Sequence, residues 1–224
     1  MIVVVGNPLG HRARTGNSVA GPAADVAVIA ARAGCSVELV GKIGDDGAGD
    51  AAVLALGRAG VGHAALLRDP AHATPVIIEP DVDAVLGSDP IGDIGDPEGI
   101  EDAPRTVEPQ DAACWPTLDA EDVELALRYL PDVRTIIVAD PVPDPVLSVV
   151  QQAARYLGAR LVIAGGRHDP APDADLVLSA PDEDRDGGFA GLLGAIAIAL
   201  ERGEDVETAF ESARAAVGLS RIEA

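Results

Sequence analysis

The chain has 224 residues and a net charge of −21, and 48% of its residues are hydrophobic although only 2% are aromatic. This length suits one domain with a sizeable core, which must be built from Ala, Val, Leu and Ile. The charge and the scarcity of rings exclude a nucleic-acid-binding protein, because no basic stripe neutralises phosphates and no aromatic platform stacks on bases.

The acidic residues are dominated by aspartate, with 24 Asp against 13 Glu, and Lys42 is the only lysine. A surface covered with carboxylates and poor in lysine is typical of proteins that stay soluble in concentrated salt, where screening weakens their self-repulsion. The composition therefore predicts a halophilic protein.

Two further observations concern the compartment. Cys35 and Cys114 are too few and too far apart for a metal knuckle or a disulfide framework. Charges or glycines interrupt every apolar run, so no membrane span is predicted, and the first ten residues have no basic segment before a long apolar stretch. We expect a cytoplasmic protein.

Strands and helices alternate along most of the chain. In chain order, strands are predicted at residues 1–6, 35–44, 134–140, 159–166 and 174–181, and helices at 21–34, 47–60, 119–131, 143–158, from Gly188 to the glycine at 203, and at 204–218. This order implies a parallel sheet with helices on its faces. Between them, residues 68–117 are rich in Pro, Gly and Asp, which predicts edge strands and loop.

The stretch "DEDRDGGFAGLLGAIAIALERG" at residues 182–203 places an acidic loop and a glycine pair directly before an apolar helix. The free N–H groups and dipole of such a helix start favour an anion such as phosphate, and an adjacent Asp could act as a base. The alternative is a solvated loop that caps a buried helix.

Residues 20–61, "AGPAADVAVIAARAGCSVELVGKIGDDGAGDAAVLALGRAGV", resemble the N-terminal signature of the ribokinase or PfkB-type carbohydrate kinase family. Residues 187–218 are similar to the helix pair that carries the family's second signature. The resemblance implies an α/β fold: a single ribokinase-like domain over residues 1–224, a three-layer αβα sandwich with a mostly parallel central sheet. The lid of the family is expected to be reduced or absent, with residues 68–117 as an irregular insertion or residual lid region.

The resemblance also implies transfer of the γ-phosphoryl of ATP to a hydroxyl of a small sugar or nucleoside, with Mg²⁺ held largely by ATP and no metal ligands assigned in the chain. The family's catalytic Asp falls on Gly187, so Asp186 lies one residue early and is either the base or only a helix cap. Gly187 and Gly188 are the expected anion-hole donors.

On the sugar side, His11 occupies the position of an Asp that grips sugar hydroxyls, and Asp25 replaces the Asn that follows the glycine turn at Gly21. Asn7 completes the substrate-binding candidates. The family's Asn-x-x-Glu element is missing, since the only asparagines are Asn7 and Asn17. The alternative function is therefore a degenerate relative that binds a sugar, a nucleotide or a partner without turnover. The family usually forms dimers through its lid, so a homodimer is the partner state that the resemblance suggests.

Overall fold

The computed structural model describes residues 1–13, 16–79, 106–164, 173–180 and 187–217. In chain order the elements are β1 (Ile2–Val5), β2 (Leu9–Ala13), β3 (Gly16–Ala20), α1 (Pro22–Arg32), β4 (Val37–Gly44), α2 (Gly47–Ala59), β5 (Leu66–Asp69), β6 (Val76–Ile78), β7 (Thr106–Glu108), a 3₁₀ turn (Ala112–Cys114), α3 (Ala120–Tyr129), β8 (Thr135–Val138), α4 (Asp144–Leu157), β9 (Arg160–Ala164), β10 (Leu176–Leu178), α5 (Gly188–Glu201) and α6 (Val206–Val217).

The central sheet has six parallel strands in the order β10-β9-β8-β1-β4-β5. Strand β1 lies in its middle and all four of its side chains are fully buried. Alternate residues point to opposite faces: Ile2 and Val4 join the core under α1, α5 and α6, whereas Val3 and Val5 join the core under α3 and α4. The predicted three-layer sandwich with its parallel sheet is confirmed.

The helix limits follow from capping residues that the sequence supplies. Asp46 caps α2 by accepting a hydrogen bond from the Gly49 N–H at 2.7 Å, and Asp119 caps α3 by accepting one from the Asp122 N–H at 2.9 Å. Helix α5 is apolar on nearly its whole circumference because it packs between α1 and α6. Gly194 allows this close approach, since a Cβ there would lie 2.6 Å from Cγ2 of Ile29 on α1.

A second, smaller sheet has four strands in the order β3-β2-β6-β7, each three to five residues long. Strands β2 and β3 form an antiparallel hairpin directly after β1, and β6 pairs with β2 in parallel. The expectation that the family's lid is reduced or absent stays a prediction. Within residues 68–117, β6 and β7 belong to this second sheet and the end of β5 belongs to the central sheet, while residues 80–105 lie outside the described part.

None of the helices in the described part of the chain combines the length and the apolar character that a membrane crossing requires.

Candidate functional site

The chain changes direction in the central sheet between β1 and β8. From β1 it continues towards β4 and β5 on one side, and from β8 it continues towards β9 and β10 on the other. In open parallel sheets such a switch point leaves a crevice at the carboxyl ends of the two strands, and ligands bind there. Here the crevice begins at Gly6, which follows β1, and at Asp140, which follows β8 by two residues.

Asp140 is the principal charged residue of this crevice. Its Oδ2 atom is buried, and among the described residues no donor reaches it, while the Ala23 N–H at the start of α1 hydrogen-bonds the carboxyl group. Burial, followed by the nearby charge of Asp25, raises the pKa of Asp140 to about 7. The carboxyl group can thus release or accept a proton near neutral pH.

Gly6 makes room for this carboxyl group. A Cβ at position 6 would collide with Oδ2 of Asp140 and would lie 2.8 Å from the Cβ of Ala23. The glycine at the end of β1 is therefore required by the close approach of β8 and α1.

The start of α1 brings two of the predicted residues to the same edge of the sheet. Gly21 precedes the helix with φ of 95°, a conformation that favours glycine, and its carbonyl accepts a hydrogen bond from the Asp25 N–H at 2.9 Å. Asp25 lies in the first turn, close enough to Asp140 to raise its pKa. The structure thus places Asp25 near Asp140, and the role of Asp25 and Gly21 in substrate binding stays a prediction.

A cavity of about 430 Å³ opens over Asp140. It lies between the β1–β2 turn, the start of α1, the segment around Trp115 and the β8–α4 loop. Its size is within the range of small-molecule sites. Five prolines form much of its wall: Pro22, Pro75, Pro116, Pro141 and Pro143.

Asn7 lines this cavity, but both ends of its amide are engaged by the protein. Its Oδ1 accepts a hydrogen bond from the Lys42 N–H at 2.8 Å, and its Nδ2 donates to the Pro116 carbonyl at 2.7 Å. In this arrangement Asn7 ties the β1–β2 turn to β4 and to the cavity wall.

His11 is not among the residues around the Asp140 cavity. It lines a larger groove of about 720 Å³ between the second sheet and the start of α2. Its Nδ1 lies 2.9 Å from Ser18 Oγ and its Nε2 lies 3.1 Å from Glu79 Oε1, so both ring nitrogens have protein partners. The structure separates this predicted substrate residue from the Asp140 cavity.

The glycine pair before α5 is described only from Gly187 onward, and Asp186 lies outside the described residues. Gly187 adopts φ of 66° and is exposed, and Gly188 begins the helix. Because α5 follows β10 and packs beside α1, the starts of both helices lie at the carboxyl edge of the sheet, on the side of Asp140. The first N–H groups of a helix favour an anion, and the assignment of Gly187 and Gly188 as anion-hole donors stays a prediction.

Asp140 is the residue that sequence reasoning missed. A signal for it was present, since the apolar strand "TIIVA" ends directly on this Asp. Only the strand order shows that this strand end, rather than another, borders β1 at the switch point. In the described part of the chain, no group of three or more His, Cys, Asp or Glu is placed to hold a metal ion.

Comparison with known proteins agrees with this geometry. The family model described as pfkB family carbohydrate kinase matches residues 2–79. Among curated proteins, no sequence matches the chain significantly.

Similar solved structures cover nearly the whole chain. Arabidopsis thaliana ribokinase, solved with ribose and ATP, is 17% identical with a TM-score of 0.61, covering 97% of this chain and 91% of its own. An E. coli protein assigned as ribokinase II, solved with ATP and Mg²⁺, is 14% identical with a TM-score of 0.65, and the alignment covers 100% of this chain and 93% of the E. coli chain. Aminoimidazole riboside kinase from Salmonella enterica is 13% identical with a TM-score of 0.62, covering 98% and 92%.

At these identities the solved structures show only the fold. The family model matches residues 2–79, the segment from β1 to β6. The family match thus supports a relationship to the PfkB-type carbohydrate kinases over residues 2–79, and the solved structures show the ribokinase fold over nearly the whole chain.

Proposed function

We propose that this protein transfers the γ-phosphoryl group of ATP to a hydroxyl of a small sugar or nucleoside. The observation that carries the proposal is the ligand-sized cavity at the carboxyl edge of the sheet, which is lined by Asp140, a residue whose pKa is raised to about 7. A carboxyl group that lines such a cavity is suited to orient a substrate hydroxyl. The ligands of the similar structures, ribose and ATP in one case and ATP with Mg²⁺ in another, support the choice of reaction.

In the proposed reaction, Asp140 orients the acceptor by receiving a hydrogen bond from one of its hydroxyls. The reacting hydroxyl oxygen forms a bond to the γ-phosphorus, and the bond from that phosphorus to the bridging oxygen of ADP breaks. The hydroxyl proton passes to the Asp186 carboxylate, and the N–H groups of Gly187 and Gly188 stabilise the negative charge on the transferred group. Mg²⁺ enters with the phosphates of ATP, and no step is assigned to a protein-bound metal.

The test is a coupled assay of ADP release with Mg·ATP and separate pools of pentoses, hexoses and nucleosides, in about 1 M KCl to screen the acidic surface. We expect sugar- or nucleoside-dependent turnover. Asp186→Ala should lower kcat by roughly a hundredfold or more, because a general base contributes about that much.

Asp184→Ala is the matched control, since it removes another carboxylate of the same acidic loop and should leave kcat within about twofold. Equal activity of the Asp186 variant and wild type would refute the assignment of the base. A folded wild-type protein without turnover on any pool would refute the proposed reaction and favour a relative that binds without catalysis.

A further inference from the structure

One wall of the Asp140 cavity is a stretch of chain with little regular structure. Residues 109–119 connect β7 to α3, and their helical part is the short 3₁₀ turn at Ala112–Cys114. Residues 115–118, which we call the wall segment, line the cavity. Because no strand or long helix fixes the wall segment, its position depends on bonds from other parts of the chain.

The start and the middle of the wall segment are anchored by hydrogen bonds to the backbone. The Ala73 N–H donates to the Cys114 carbonyl at 3.0 Å, directly before the segment. Nδ2 of Asn7 donates to the Pro116 carbonyl at 2.7 Å, and Oδ1 of the same amide accepts from the Lys42 N–H at 2.8 Å. The backbone of Lys42 is thus already part of this anchoring.

The side chain of Lys42 holds the other end of the wall segment. Its Nζ atom lies 3.4 Å from Oδ2 of Asp119, the N-cap of α3, and contacts Oδ2 of Asp122 in the first turn of that helix. Asp119 directly follows Leu118, the buried last residue of the segment. Only 14% of the Lys42 side chain is exposed, so solvent screens these ion pairs less than pairs on the open surface.

The charge of Lys42 is maintained in this partly enclosed place. Burial lowers the pKa of Lys42, but the interaction with Asp122, followed by that with Asp119, outweighs burial and raises the pKa. The ammonium group therefore stays protonated at neutral pH.

The residue type at position 42 is an exception in this chain. Among 16 Lys and Arg residues, Lys42 is the only lysine. An ammonium group carries three donors on one compact atom and can serve two carboxylates in a narrow space, whereas the planar guanidinium of arginine spreads its donors over a wide fork. A compact cation between two carboxylates is what this site contains.

We propose that Lys42 is a positioning residue for the Asp140 cavity, which fixes the wall segment through Asp119 and Asp122 at the distance from the β1–β2 turn that the acceptor needs. This inference rests on the proposed function, because it takes the cavity as the acceptor site. Lys42 is not among the described residues that line the cavity, so it acts through the wall segment.

The first test needs no substrate. Trp115 is the only tryptophan of the chain and belongs to the wall segment, so acrylamide quenching of its fluorescence reports how accessible the segment is. The quenching constant should rise in Lys42→Met, which keeps an unbranched side chain without the charge. Arg68→Met is the matched control and should leave quenching unchanged, because Arg68 also pairs with two carboxylates, Asp45 and Asp50, none of which lines the cavity.

The second test compares the kinetics of the same variants with Mg·ATP and ribose, fructose and adenosine as acceptors. Lys42→Met should raise the KM for the acceptor by about tenfold and leave kcat and the KM for ATP within about threefold, because a displaced wall weakens the acceptor before and during the reaction alike. Lys42→Arg keeps the charge and should recover part of the affinity. Arg68→Met should leave all three constants unchanged.

Circular dichroism melting shows whether Lys42→Met is folded. Asp119→Asn is the milder second variant, because Asn keeps an oxygen that caps α3 but removes the charge that faces Lys42. It should change Trp115 quenching and the acceptor KM in the same direction by smaller factors, and it decides the question if Lys42→Met does not fold.

The outcomes separate this inference from the proposed reaction. A folded Lys42→Met protein whose Trp115 quenching equals that of wild type overturns the inference even if turnover occurs. A lower kcat with an unchanged acceptor KM also overturns it. A wild-type protein without turnover on any acceptor, together with raised quenching in Lys42→Met, overturns the reaction and supports Lys42 as the anchor of the wall segment.

Discussion

At the scale of single residues, the buried Asp140 lowers the stability of the folded protein when it is ionised, but it also lines a cavity that can bind a ligand. Burial, followed by the nearby charge of Asp25, raises the pKa of its carboxyl group to about 7. Ionising this group in the folded protein is therefore unfavourable. Folded proteins keep such groups where a ligand makes up the cost, which is the pattern of functional sites.

The raised pKa predicts a pH-dependent stability difference between wild type and Asp140→Asn. The folded state binds this proton more tightly than the unfolded chain, so the group's contribution worsens as pH rises from about 4 and levels off above about 7. Asn imitates the neutral carboxyl group. We expect Asp140→Asn to resemble wild type near pH 3 and to be more stable near pH 8, by up to about 4 kcal/mol.

Urea unfolding at these two pH values and constant salt measures the difference. Asp144→Asn, which alters an exposed carboxylate in the first turn of α4, is the control and should show no such pH trend. An equal gain of stability at both pH values would contradict the assigned titration.

At the scale of elements, one side chain fixes the start of α2 against the second sheet. Asp46 Oδ1 accepts from the Gly49 N–H at 2.7 Å, and Oδ2 accepts from the Thr74 N–H at 2.8 Å, just before β6. The Thr74 hydroxyl in turn lies 2.9 Å from the Gly44 nitrogen at the end of β4 and accepts its hydrogen bond. This network joins a strand of the central sheet, a helix and the second sheet.

We therefore expect Asp46→Ala to lower the free energy of unfolding at pH 7 by about 2 kcal/mol, the sum of a lost cap and an unsatisfied N–H. Burial raises the pKa of Asp46, but the hydrogen bonds from Gly49 and Thr74 outweigh it and hold the pKa below its usual 3.8. The contribution is thus present above about pH 4 and is lost as pH falls through the lowered value.

Asp46→Asn should cost less than Asp46→Ala because it can still accept one of the two bonds. Asp45→Ala is the neighbouring control and should change stability by less than about 0.5 kcal/mol. The Asp45 side chain is exposed, and its Oδ1 forms a long surface ion pair, 3.7 Å from Nη1 of Arg68. Chemical denaturation at pH 7 and pH 3 measures all three variants, and equal costs for Asp45→Ala and Asp46→Ala would contradict the network.

At the scale of the whole molecule, the acidic charge acts on every element at once. The chain carries 37 acidic against 16 basic residues. Such an imbalance opposes the compact state by self-repulsion, and the range of that repulsion shrinks from about 10 Å in 0.1 M salt to about 3 Å in 1 M salt.

The melting temperature should therefore rise when KCl increases from about 0.1 M to about 1 M, because repulsion in the folded state is screened. Differential scanning fluorimetry gives the trend, and sucrose of equal osmolality serves as the control for non-ionic effects. A melting temperature that stays constant or falls with KCl would contradict both the repulsion argument and the predicted halophilic character.

The sequence by itself determined the succession of elements and the class of the fold. Apolar runs such as "IVVV" and "TIIV" predicted strands correctly, and the patterns of residues 47–60 and 119–131 predicted helices correctly, because these patterns act over a few residues. The resemblance of residues 20–61 to a family signature predicted the three-layer sandwich.

Only the tertiary structure decided which residues meet. The hairpin β2–β3 was not predicted, because its strands are short and β2 pairs with β6, a strand more than fifty residues further along the chain. The same holds for the site: strand order brings Asp140 to Gly6, Ala23 and Asp25, and leaves His11 in another groove. A local sequence pattern indicates whether a residue lies in a buried strand or a helix, but contacts between distant segments depend on how the whole chain packs.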